Sequence, residues 1–230
     1  MALTKYRIPI VIARLFAACV LLRGSVLAED QPALPPREEW QVWTDVIHTT
    51  PVSASVDWHL MGTLKLGRGF TRLVNERFGT GFTFRLNRFV SFSPYYGFSA
   101  FQPYAGRDVR EHRAVIDTTL HWTFGGFSFS DRNRLERRFV DDFRDSTRYR
   151  NSFLVEHPVE SGRANLRVFA YDEVFWESAL HAWNRNRFAA GVKRRFSPMI
   201  TVDVYYLRQN DGFARPGDIH AVCTTVRLRS

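Results

Sequence analysis

A chain of 230 residues with 45% hydrophobic side chains can bury a sizeable core in one domain, or at most two, which excludes a disordered protein. The formal net charge of +9 reflects 32 Lys and Arg against 23 Asp and Glu; four of the basic residues and none of the acidic ones lie before residue 29, so a chain cut there carries 28 against 23, or +5. With two cysteines, one of them Cys19 in the leader, Cys223 is left alone and a disulfide-stapled fold is excluded.

The leader, MALTKYRIPIVIARLFAACVLLRGSVLAED, sets Lys5 and Arg7 before an apolar segment from Ile8 to Leu22 that only Arg14 interrupts, and ends in Val26-Leu27-Ala28. This predicts a secretory signal peptide over 1–28 with the cut after Ala28. The apolar length is too short and too broken for a spanning helix. A lipoprotein signal at Cys19 fits less well, because Phe16 stands where Leu is usual and Val20-Leu21-Leu22 continue the apolar run. A Pro-rich lead-in follows over 29–37, and 38–230 reads as one β-barrel domain.

From there a period of two hardly stops. In Val56 to Leu66 the even positions are Val56, Trp58, Leu60, Gly62, Leu64 and Leu66, against Asp57, His59, Met61, Thr63 and Lys65. The alternation predicts eleven strands: 38–47, 53–66, 79–87, 89–101, 111–124, 126–139, 146–156, 164–176, 183–196, 199–209 and 217–229. Stretch 67–78 is open between a loop, an extension of the second strand and another strand. Short connections such as Gly125-Gly126 alternate with longer ones such as QPYAGRDVREH, DDFRDS and NDGFARPGD.

Alternation alone leaves open which face meets a core, since a soluble barrel has the same period. Strands of ten to fourteen residues exceed the usual soluble length of about five to six and match the roughly nine to eleven that a tilted membrane strand needs. Charge reaches mid-strand on the polar faces, as at Asp117, Arg167, Glu173 and Asp203. Trp40, Trp43, Trp122, Trp176 and Trp183 fall near strand ends, where an interfacial girdle belongs. A membrane-crossing sheet must close on itself. The expectation is therefore an all-β, antiparallel up-and-down transmembrane β-barrel of the bacterial outer membrane, with twelve strands favoured over ten because such barrels normally have an even number. A soluble periplasmic ligand-binding barrel is the alternative.

With the apolar faces outward, the lumen receives Lys65, Arg85, Arg113, Arg132, Arg134, Arg138, Arg148, Arg150, Arg167, Arg185, Arg187, Lys193 and Arg195, against Asp57, Asp117, Glu136, Glu156, Glu173 and Asp203. That set predicts either an internal ion-pair network or a basic, anion-favouring channel. Arg185 and Arg187, in WNRNRFAAGVKRRF, project to one side and are both expected to meet Glu173. Such inward pairing, in an exported chain, argues against nucleic acid as a partner. Expected partners are instead outer-membrane lipid, lipopolysaccharide phosphates near Arg107, Arg110 and Arg215, and the barrel-assembly machinery, for a monomer.

A lipid-modifying enzyme needs a His beside a hydroxyl and an orienting group. His59 and His121 stand on polar faces near Asp57 and Asp117, but no serine has a G-x-S-x-G frame. The seven histidines lack paired spacing and no phosphate-binding glycine loop opens a helix, so neither a metal nor a cofactor is expected.

The stretch FAYDEVFWES…WNRNRFAAGVKRRFSPMITVDVYYLRQN, Phe169 to Asn210, resembles the C-terminal signature of the bacterial domain-of-unknown-function family 2490 at Glu173, Asn186, Arg187, Gly191 and Tyr206. STRYRNSFLVEHP and the opening tryptophan strand are similar to it as well. The resemblance implies an outer-membrane barrel and assigns no activity. The chain closes on TTVRLRS, where many outer-membrane barrels carry a terminal aromatic.

Overall fold

The computed structural model describes residues 36–104, 106–141, 143–159 and 165–230; the expected signal peptide and most of the Pro-rich lead-in lie outside them. Eleven strands follow one another: β1 (Glu38–Pro51), β2 (Val56–Gly67), β3 (Arg72–Arg85), β4 (Val90–Tyr104), β5 (Arg107–Phe124), β6 (Phe127–Val140), β7 (Ser146–Val159), β8 (Leu166–Glu177), β9 (Ala182–Ser197), β10 (Ile200–Asp211) and β11 (Asp218–Arg229). Each pairs with its neighbours in sequence, and β11 returns to β1, closing the barrel.

The expected twelve strands, or ten, are thus corrected to eleven among the described residues. Strands that alternate in direction close antiparallel only when their number is even. With eleven, β1 and β11 run the same way, and they pair in parallel from Glu38↔Asp218 to Thr49↔Arg229. The purely antiparallel expectation fails at this one seam. Odd closure also sends Glu38 and Arg229 to opposite ends of the barrel, hereafter the Glu38 rim and the Arg229 rim.

Stretch 67–78 divides: Gly67 ends β2, residues 68–71 turn, and β3 begins at Arg72 rather than at 79. Arg68, Gly69 and Phe70 all have positive φ in that turn (51°, 70° and 68°). The β2–β3 register shifts between Lys65 and Leu66. Such a bulge breaks the period of two and hides the start of β3 from a pattern search. β4 and β5 likewise absorb most of QPYAGRDVREH, which the sequence offered as a long connection.

Inside, Trp43, Ala189, Leu207, Ile219, Ala221 and Cys223 form a small apolar cluster with Tyr171 and Tyr205 against it. Two glycines let adjacent strands approach closely. A Cβ on Gly191 would lie 2.3 Å from Cβ of Tyr205, and one on Gly81 the same distance from Cβ of Tyr95. Outside, Phe82, Ile116, Leu120, Leu135, Phe188, Val192 and Val204 are exposed. The outer wall is greasy and the lumen is largely ionic.

Candidate functional site

The inward positions of β5 to β9 carry most of the charge. On β6 and β7 the even residues point in; on β5, β8 and β9 the odd ones do, and the antiparallel registers set them side by side. Glu136, 1% exposed, receives Arg150 at 2.8 Å, with Arg134 and Arg148 each at 3.8 Å. Glu173 receives Arg132 at 2.6 Å, Arg150 at 2.7 Å and Arg187 at 3.7 Å. Nearer the Glu38 rim, Glu111 holds Arg113 at 2.7 Å and Arg138 at 2.5 Å, and Glu177 holds Arg138 at 2.5 Å and Arg148 at 2.9 Å. Asp117 binds Arg134 through two bonds of 2.6 and 2.7 Å. Sharing one carboxylate among several guanidiniums is what offsets the desolvation of so many buried charges.

Towards the Arg229 rim the pairs become sparser and wetter. Glu156 takes Arg167 at 3.1 Å and Lys193, Asp203 takes Arg227 at 2.8 Å, and Asp57 takes Arg85 and Arg229. Arg227 and Arg229 are 45% and 48% exposed, whereas Arg148 and Arg150 are 9% and 8%. A cavity of about 620 Å³ occupies the middle and the Arg229 half of the lumen, and its lining omits Glu111, Arg138, Arg148 and Glu177. The lumen is therefore a vestibule whose floor is the ion-pair network near the Glu38 rim.

Of the residues singled out from sequence, Glu173, Arg187, Arg148, Arg150, Arg113 and Asp117 meet in this network, while Arg167 and Lys193 share Glu156 and Asp203 pairs with Arg227 apart from it. Arg185 is corrected: it pairs with Asp211 at 2.7 Å rather than with Glu173, because the register sets it opposite Asp211. Arg195 sits near the Arg229 rim, where its Nε donates to the Ser197 carbonyl at 3.3 Å. Trp40, Trp122 and Trp183 are exposed on the outer wall and Trp176 is half-buried. Trp43 is corrected from girdle to lumen: it lies opposite Lys65 and Cys223 on inward positions and is 5% exposed. Arg77, Glu111, Glu177 and Asp211 were missed; Arg77 lay in the unassigned stretch, and Glu177 and Asp211 lay just past the expected strand ends.

The two histidines nominated for hydrolysis are not assembled with their aspartates. Asp57 and Asp117 are held by arginines, while His59 Nδ1 lies 3.4 Å from the Thr83 hydroxyl and His121 Nε2 lies 3.2 Å from that of Ser91. A third histidine is better placed. On the outer wall across the parallel seam, the Tyr206 hydroxyl is 2.5 Å from His220 Nδ1, and Glu38 Oε1 is 2.6 Å from His220 Nε2. Trp40 stacks on the imidazole at 4.7 Å between centroids. Mid-wall, the outer face also carries a polar group in which Asn151 donates to Asp131 at 2.6 Å and Asn186 donates to Asp172 at 2.9 Å.

These features define a class: a closed β-barrel with an apolar outer wall and a lumen filled by charge. The chain belongs to the family described as Protein of unknown function (DUF2490), whose profile matches residues 40–218. Among solved structures it is similar to LpxR from Salmonella typhimurium, with 8% identity, a TM-score of 0.48 and coverage of 76% of this chain and 83% of that one. It is also similar to the siderophore receptor PirA from Pseudomonas aeruginosa, with 13% identity, a TM-score of 0.28 and coverage of 71% of this chain and 32% of that one. No curated protein matches the chain.

Proposed function

We propose that the protein is a monomeric bacterial outer-membrane barrel with a structural, blind lumen rather than a through-channel. The observation that carries this reading is the inversion of the usual arrangement: buried charge inside, exposed Phe, Leu, Ile and Val outside, on a sheet without edges. In water such a wall would hold its apolar side chains against solvent at about 25 cal/mol per Å². Against acyl chains that cost vanishes, and the closed ladder satisfies the backbone where no water can. Trp40 and Trp183 then anchor the Glu38 rim and Trp122 the other, with lipid and lipopolysaccharide as the surrounding partners.

Cell fractionation after expression with the native leader tests the placement. Recovery in the membrane fraction, with a band whose gel mobility changes on heating, is expected; recovery in the soluble periplasmic fraction would sink it. In planar bilayers the ion-pair floor should prevent a steady conductance. A sustained anion-favouring current would replace the blind lumen with a channel.

A second reading, a lipid-modifying enzyme in the same membrane, is favoured by one observation, the Glu38–His220–Tyr206 relay on the outer wall. Arg208 lies against both the Glu38 carboxylate, at 2.7 Å, and Nε2, so the imidazole is held between a cation and a carboxylate while Nδ1 faces the tyrosine hydroxyl, an arrangement that can tune a nucleophile. In mixed micelles of the protein with phospholipid or lipid A, Tyr206→Phe and His220→Asn should abolish turnover without changing gel mobility. An inert wild-type protein, or variants as active as it, would remove this reading.

A further inference from the structure

Two cations in the cavity lack a carboxylate partner. Lys65, 6% exposed, holds its ammonium 3.1 Å from the centroid of the Trp43 ring and forms no ion pair among the described residues. Arg77 lies on the neighbouring strand, one step along the register, opposite Thr63. Among the described residues it forms neither an ion pair nor a hydrogen bond, and its Nε is buried without an acceptor. Arg113 and Arg187 line the same cavity.

No carboxylate forms a salt bridge with either cation among the described residues. Glu136 is bonded to Arg150 at 2.8 Å. Asp45 lines the same cavity and accepts the Thr63 hydroxyl at 2.5 Å. Ten basic side chains against six acidic ones line the cavity, and two of the basic ones, Arg113 and Arg150, are bonded to Glu111 and Glu136 behind them, so the lining stays net positive by less than its formal four. Holding cations out of bulk water with no counter-charge in contact is unfavourable, and here the two unpaired ones are neighbours that face one open space. Such an arrangement persists at least cost when a dianion completes it.

We propose that Lys65 and Arg77 form a binding site for a phosphate-class oxyanion, either inorganic phosphate or a small phosphomonoester, with Arg113 and Arg187 reinforcing the positive field. Two adjacent unpaired cations match a dianion better than a halide. The planar fork of Arg77 suits two oxygens of a tetrahedral group, while Lys65 supplies a point charge. A cavity of about 620 Å³ leaves room for an organic substituent beyond the phosphate. The site rests on the blind lumen proposed above but not on the membrane placement.

The test is calorimetric titration of the full-chain barrel, folded in detergent micelles and checked by heat-modifiable mobility, at low ionic strength. Inorganic phosphate and glycerol phosphate are the two probes, with chloride at matched ionic strength as the control. Saturable one-site binding is expected for the phosphates alone, and the tighter of the two identifies the source of the phosphate group. Arg77→Met and Lys65→Met should each weaken binding at least tenfold. Because each removes an uncompensated charge, each should leave the ligand-free melting temperature unchanged or higher. Arg137→Gln, on the outer wall, should alter nothing.

The proposal is overturned if the folded barrel gives no saturable heat, if chloride reproduces the signal, or if both Met variants bind like the wild type. It is overturned equally if both variants melt earlier or fail to fold, since the two cations would then be structural partners. Fractionation and conductance read the barrel's placement and closure, whereas calorimetry on the folded barrel reads this site, so the two readings fail separately.

Discussion

Glu173 illustrates how much one carboxylate does in this lumen. Arg132, Arg150 and Arg187 converge on it, and it is 3% exposed, so bulk solvent has little access to the three guanidiniums it holds. Glu173→Gln should lower unfolding free energy by about 3–5 kcal/mol in a urea titration, the cost of breaking a buried pair from one side. Gly191 makes a steric demand instead. Gly191→Ala drives a methyl into Tyr205 and the Val204 carbonyl and should cost about 1–3 kcal/mol by the same measurement. Sequence parity placed Glu173 and Gly191 on the inward face, but it could not name their partners. The misplaced Arg185 shows why: its partner depends on the β9–β10 register, which no single strand encodes.

At the scale of the strand, alternation was strong enough to reveal every element because each separates two environments over much of its length. β5 does so from Arg107 to Asp117, beyond which neither face is buried. What failed was local or global rather than periodic. A bulge concealed the start of β3, and the parity of closure could not be read from strands taken one at a time. The parallel β1–β11 seam has slanted hydrogen bonds that are slightly weaker per residue than antiparallel ones. Hydrogen exchange by mass spectrometry should therefore find Gln41–Ile47 and Ala221–Arg227 less protected than the facing halves of β5 and β6. Equal protection would mean that the apolar cluster behind the seam, Trp43 with Ala221 and Cys223, compensates in full.

For the whole molecule, the charged lumen and the greasy wall are one fact seen from two sides. Phe188, near the middle of β9 and 49% exposed, samples the wall. In lipid vesicles Phe188→Arg should cost about 2–4 kcal/mol, as expected for a cation facing acyl chains at mid-depth. A change within about 0.5 kcal/mol, normal for a surface in water, would place the wall in solvent. The sequence by itself determined the barrel class, the strands and which side chains lie together on each face, because a period of two is a property of the extended chain. Only the tertiary structure decided the eleven-strand parallel closure, the inward turn of Trp43, the relay joining residues 38, 206 and 220, and the unpaired cations over the vestibule floor. Those depend on which strands become neighbours and in what register, and chain closure sets that for all of them at once.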